Sequence, residues 1–76
     1  MARRKLTFAD LLTEHLNQRG MKQVELAEKA QCSQTYVSLM VRGLRRPSGK
    51  MANTLVSVFK LRGADRDAFI DAIHAD

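Results

Sequence analysis

The side chains best equipped for recognition chemistry stand close together in the stretch from Gln23 to Arg42, QVELAEKAQCSQTYVSLMVR. From the adjacent pair Gln34 and Thr35, Ser38 and then Arg42 follow at steps of three or four residues, the spacing that puts side chains on one face of a helix. Glutamine carries an acceptor and a donor side by side, matching the N6/N7 edge of adenine, and threonine and serine hydroxyls serve base-edge donors or acceptors alike. Inward-type residues take the other positions: Leu26, Ala27, Ala30, Cys32, Val37 and Met40. Two short amphipathic segments, 23–30 and 34–42, are thus joined by only Gln31, Cys32 and Ser33. Such a closely linked pair of helices, the second with a polar outer stripe, is the geometry that sets a helix into the major groove of DNA.

Other candidates surround the stripe. Leu39 also points outward, where it meets either a thymine methyl or nothing. Tyr36 lies between stripe and core, its hydroxyl within reach of a phosphate. Lys22 and Gln23 begin the first segment, where unpaired N–H groups and the positive dipole end favour a phosphate. Arg45, Arg46 and Lys50 follow the second segment as phosphate clamps, with a solvated charge run as the bland alternative. Arg3, Arg4 and Lys5 form a basic N-terminal arm (1–6) that either reaches round a duplex or merely aids solubility.

Charge agrees with a polyanionic partner. The net charge is +5. Residues 1–63 hold twelve Lys/Arg against four Asp/Glu, or +8, and residues 64–76 hold one Arg against four Asp, or −3. A basic body with an acidic end turns its body toward nucleic acid. The single cysteine, Cys32, excludes an internal disulfide and favours a reducing compartment, so a cytoplasmic location is expected. Cys32 itself reads as a small hydrophobe. No apolar run approaches the ~20 residues that span a membrane, and MARRKL is not followed by the apolar core of a signal peptide. Zinc-type cysteine pairs, His/Cys clusters, glycine-rich phosphate loops and paired carboxylates are all missing, so no enzyme, metal or cofactor is expected. His15 reads as a boundary residue, and His74 is uninformative.

Five helices must position these groups, within a single domain over 1–76. Thr7 and Asp10 have capping-box spacing, Phe8, Leu11, Leu12 and Leu16 share one face, and Gly20 is a stop, giving helix 1 over 7–19. Helix 2 spans 23–30. Ser33 caps helix 3, over 34–42, and Gly43 closes it. Pro47 pushes Arg46 out of helical geometry and Ser48 caps helix 4, over 49–61, with Gly63 as its stop. Asp65 is expected to cap helix 5, over 66–75, whose apolar stripe is Phe69, Ile70 and Ile73.

The chain resembles the lambda-repressor-like, or Cro/C1-type, helix-turn-helix proteins over roughly residues 8–62. The resemblance rests on Gln23, the pair Leu26-Ala27, Ser33, Val37, Met40, Arg42-Gly43 and Pro47-Ser48. It implies an all-α, five-helix DNA-binding domain with its helix-turn-helix over about 23–42. It also implies backbone contact by Gln23. Two positions depart from the family pattern. Gln31 stands where a turn glycine is usual, and is expected to accept positive φ at a cost of about 1 kcal/mol. Val41 stands where Glu often precedes Arg-Gly, and is expected to pack instead.

The resulting expectation is a sequence-specific binder of double-stranded DNA, a transcriptional regulator, more simply a repressor than an activator, of bacterial or phage type. The DNA-facing set is Lys22, Gln23, Ser33, Gln34, Thr35, Tyr36, Ser38, Leu39, Arg42, Arg45, Arg46 and Lys50. With so short a chain, no sensor domain and no small-molecule ligand are expected. A homodimer on a two-fold operator is expected, with Phe69, Ile70 and Ile73 as its interface. The alternatives are a DNA-binding antitoxin of a toxin–antitoxin pair, an architectural accessory factor, and a protein–protein adaptor built on the same bundle.

Overall fold

A computed structural model of the protein describes residues 7–74. The arm at Arg3, Arg4 and Lys5 lies outside the described residues. Five helices follow one another: α1 (Phe8–Arg19), α2 (Gln23–Ala30), α3 (Gln34–Val41), α4 (Gly49–Phe59) and α5 (Gly63–His74). No strand occurs among the described residues.

The local signals set most boundaries. The Thr7 hydroxyl accepts from the Asp10 N–H at 3.2 Å while the Thr7 N–H donates to the Asp10 carboxylate at 3.0 Å, a complete capping box. Gly20 ends α1 in the left-handed region at φ 59°. Gln31 ends α2 at φ 57°, as expected of the residue that replaces the turn glycine. The Ser33 and Ser48 hydroxyls cap α3 and α4, accepting from Tyr36 N–H at 3.0 Å and Met51 N–H at 3.1 Å. Gly43 follows α3 at φ 76°, where a side chain would be strained by the backbone, since an added Cβ would meet only Ala9 Cβ at an ordinary 3.6 Å.

The junction of α4 and α5 departs from expectation. α4 stops at Phe59, and Lys60, not Gly63, takes the left-handed position at φ 54°. The Leu61 N–H then bonds the Val56 carbonyl at 3.0 Å, and Leu61 is buried. Burying Leu61 against the core outweighs the strain at Lys60, which is of order 1 kcal/mol. Gly63 instead opens α5 at φ 55°, so Asp65 lies inside the first turn and does not cap it.

α2 packs on α3 and α4, α1 on α3 and α5, and α4 on α5. Their shared core holds Leu12, Leu26, Val37, Met40, Leu55 and Phe59, with no buried charged or polar residue among the described ones. Ala27 is buried beside Leu26 and Ala30, where its small size lets α2 approach its neighbours. Val41 packs against the core edge.

Two of the three residues expected at a dimer surface belong to this core. Phe69 has 0% of its surface exposed and Ile73 5%. The Phe69 ring meets Phe8 edge-on at 5.2 Å and Phe59 at 6.3 Å. A helix laid across two others buries its main apolar stripe between them, so α5 closes the bundle from within the monomer. Only Ile70 of the three is half-buried.

Candidate nucleic-acid interface

α3 is held from below and from both ends. Val37 and Met40 are fully buried, which fixes the rotation of the helix and turns Gln34 and Thr35 outward as exposed residues. Ser38 and Leu39 are half-buried on the same side. Ser33 fixes the first turn by its cap, so its oxygen is already engaged with Tyr36 N–H. Arg42 is the exposed C-cap at φ −83° and ψ −2°, one residue past the helix, where a cation also suits the dipole's negative end.

The loop after α3 is folded back onto it. The Arg45 guanidinium carbon lies 5.1 Å from the centre of the Tyr36 ring. The Tyr36 hydroxyl in turn accepts the Ser48 N–H at 3.3 Å, tying α3 to the start of α4. Tyr36 therefore joins α3, the basic loop and the next helix through one side chain. Ser33, Thr35, Tyr36, Leu39 and Arg45 together line an open hollow of about 350 Å³. Arg46 and Lys50 are exposed beside it in sequence, Lys50 in the first turn of α4, where N–H groups lack intrahelical acceptors.

Lys22 and Gln23 stand apart from this hollow, at the start of α2. Lys22 is the N-cap residue, and its N–H donates to the Glu25 carboxylate at 3.3 Å. A lysine side chain has no acceptor, so only this half of a capping box exists. Glu25 is a residue that the sequence reading missed, although an acid three positions into a helix is the signal for it. Its carboxylate already takes the Lys22 N–H, one of the groups expected to be offered to a phosphate at this helix start. The Tyr36–Ser48 bond was also missed; it spans twelve residues, beyond the reach of local periodicity.

Cys32 is half-buried in the turn, and burial raises the pKa of its thiol above the ordinary value. A thiol held protonated is a poor nucleophile, in keeping with a packing role. Among the described residues no group of His, Cys, Asp and Glu could hold a metal ion, and no helix is long and apolar enough to cross a membrane.

Two short helices at 23–30 and 34–41, a left-handed turn between them, and an outward polar stripe backed by a basic loop define a helix-turn-helix DNA-binding domain. A family model described as "Helix-turn-helix" matches residues 12–65, and the chain belongs to this Cro/C1-type family, a family of DNA-binding transcriptional regulators rather than enzymes. Neither a search of curated proteins nor one of solved structures finds a match.

Proposed function

We propose that the protein is a sequence-specific repressor of bacterial or phage type, acting in the cytoplasm as a homodimer on a two-fold operator. The observation that carries this reading is the exposure of Gln34 and Thr35 on a helix whose opposite face, Val37 and Met40, is fully buried. A helix anchored so firmly can present the same few side chains to a groove each time. Gln34, Thr35, Ser38 and Leu39 read base edges, and Arg42, Arg45, Arg46, Lys50, Tyr36 and Gln23 hold the backbone. Lys22 contributes charge, and Ser33 sets the angle of the helix. Repression is the outcome that occupancy of a promoter alone produces. The lone thiol at Cys32 fits a reducing compartment.

Dimerisation follows from specificity. One helix reads too few base pairs to discriminate against competing genomic sites, and a second copy about one helical turn away supplies the rest. With Phe69 and Ile73 in the core, Ile70 is what remains of the α5 stripe for a partner.

The test is selection of bound duplexes from a random pool, followed by titration of the winner and a scrambled duplex at two salt concentrations. A two-fold motif with a preference that survives added salt is expected. Equal, salt-abolished binding to both duplexes would reject sequence-specific regulation, and no binding at all would favour a protein–protein adaptor.

A further inference from the structure

Tyr36 carries a further inference, which rests on the DNA-binding reading above: we infer that it is a positioning residue, whose ring holds the Arg45 guanidinium ready for a backbone phosphate before any duplex arrives. The Arg45 guanidinium carbon stands 5.1 Å from the centre of the Tyr36 ring. The ring is itself held in place. Its backbone N–H donates to the Ser33 hydroxyl at 3.0 Å, and its own hydroxyl accepts the Ser48 N–H at 3.3 Å, so it is fixed between α3 and the start of α4. The loop that carries Arg45 is fastened on either side. The Leu44 N–H donates to the Leu39 carbonyl at 2.9 Å, and Pro47 is buried. Arg45 is thus an exposed cation on an anchored loop, over an anchored ring.

The consequence lies in what ordering costs. An exposed arginine gives up side-chain freedom when it grips a phosphate, and that loss subtracts from affinity. Over the Tyr36 ring, Arg45 has given up part of that freedom already. The contact with the ring uses the charge of the cation and leaves its N–H donors for a phosphate, which can then be met bidentately. Tyr36 thereby serves the backbone grip through Arg45. Its hydroxyl still has a proton to give, so a direct bond from Tyr36 to a phosphate is the competing role, and salt separates the two. The slope of affinity against salt counts the phosphates neutralised by lysine and arginine. Loss of a neutral phenol donor leaves that slope alone, whereas loss of an arginine from its phosphate flattens it.

The test measures the affinity of the full chain for one mixed-sequence duplex over a range of salt concentrations. Tyr36→Leu removes no charge, yet it should weaken binding about two- to fivefold, the weight of an exposed cation–ring contact. It should also flatten the salt slope toward that of Arg45→Ala, a change of roughly 0.9 units. In the Tyr36→Leu background, Arg45→Ala should flatten the slope little further. Tyr36→Phe keeps the ring and should restore the wild-type slope. Proton NMR of the duplex-free wild type needs no variant at Tyr36 and so guards against one that fails to fold: the Arg45 side-chain protons should lie upfield, shielded by the ring. An unchanged slope in Tyr36→Leu, a flattened slope that Tyr36→Phe does not restore, or Arg45 protons at ordinary positions overturns this inference alone. No binding of the wild type to any duplex overturns the DNA-binding reading together with it.

Discussion

Gln34 and Arg45 act on a duplex in different ways, and substitution separates them. Gln34 is exposed on α3 and has a bidentate amide to offer, so Gln34→Ala should cost about 1–3 kcal/mol on the best site and relax preference at one base pair. Arg45→Ala should weaken all duplexes alike and flatten the salt slope by roughly 0.9 units for the lost phosphate contact. Competition titrations at several salt concentrations read both; an unchanged selected motif in Gln34→Ala would mean that another face of α3 meets the bases. Backbone strain sits at two other single residues. Gln31 at φ 57° and Lys60 at φ 54° both hold the left-handed region without being glycine. Gln31→Gly and Lys60→Gly should each stabilise the fold by up to about 1 kcal/mol, less what glycine adds to the entropy of the unfolded chain. Urea melts check this, and a clear loss of stability in either would show that its side chain contributes more than its backbone costs.

At the scale of elements, α1 is fastened to the end of α4 by two side chains. Arg19 donates to the Phe59 carbonyl at 2.7 Å, and its guanidinium carbon lies 5.0 Å from the Phe59 ring centre. One of the carbonyls left over at the C-terminus of α4 is satisfied in this way from another helix. Arg19→Ala should destabilise the fold by about 1–2 kcal/mol, measured by urea melt. His15 belongs to the same cluster, stacked on Phe59 at 5.3 Å and edge-on to Phe69 at 5.6 Å, with Nδ1 3.1 Å from an Arg19 nitrogen. Burial first, and then the positive charge of Arg19, lower its pKa below 6.5, against weaker opposing pulls from Asp65 and Glu14. The unfolded chain therefore binds this proton more tightly than the folded one. Stability from neutral His15 is present above the unfolded value near 6.5 and is lost as pH falls from there through the lower folded pKa. The difference in unfolding free energy between wild type and His15→Gln should shrink across that interval in melts from pH 8 to pH 5. A difference constant with pH would mean that the ring gains no proton in the folded state's disfavour.

For the whole molecule, α5 decides both stability and assembly. Phe69 touches Phe8, His15 and Phe59 and is fully buried, so Phe69→Ala should cost about 3–5 kcal/mol, which a domain of this size barely survives. Ile70→Asp should leave the monomer folded and abolish two-fold operator binding. Circular dichroism and sedimentation together distinguish the two roles: a folded Ile70→Asp protein that still binds as a dimer would move the interface off α5.

The local course of the chain was legible because its signals act over three or four residues. Thr7 with Asp10, Ser33 and Ser48 each cap the helix that follows, and Gly20 and Gly43 turn left-handed where their lack of Cβ makes that cheap. The apolar positions Leu12, Leu16, Leu26, Val37 and Leu55 pointed inward, and the polar residues of α3 therefore outward. These features determined the five helices, the helix-turn-helix and the family. Only the tertiary structure decided the rest. It gave the turn after α4 to Lys60 because Leu61 could then be buried, and it drew Phe69 and Ile73 inside because α1 and α4 left a face for them. It also set Arg19 on Phe59, 40 residues away, and Tyr36 on Ser48. The physical reason is one of range: capping and periodicity are settled between near neighbours, whereas which apolar stripe finds a partner, and which charge finds a ring, depends on how distant helices close around a common core.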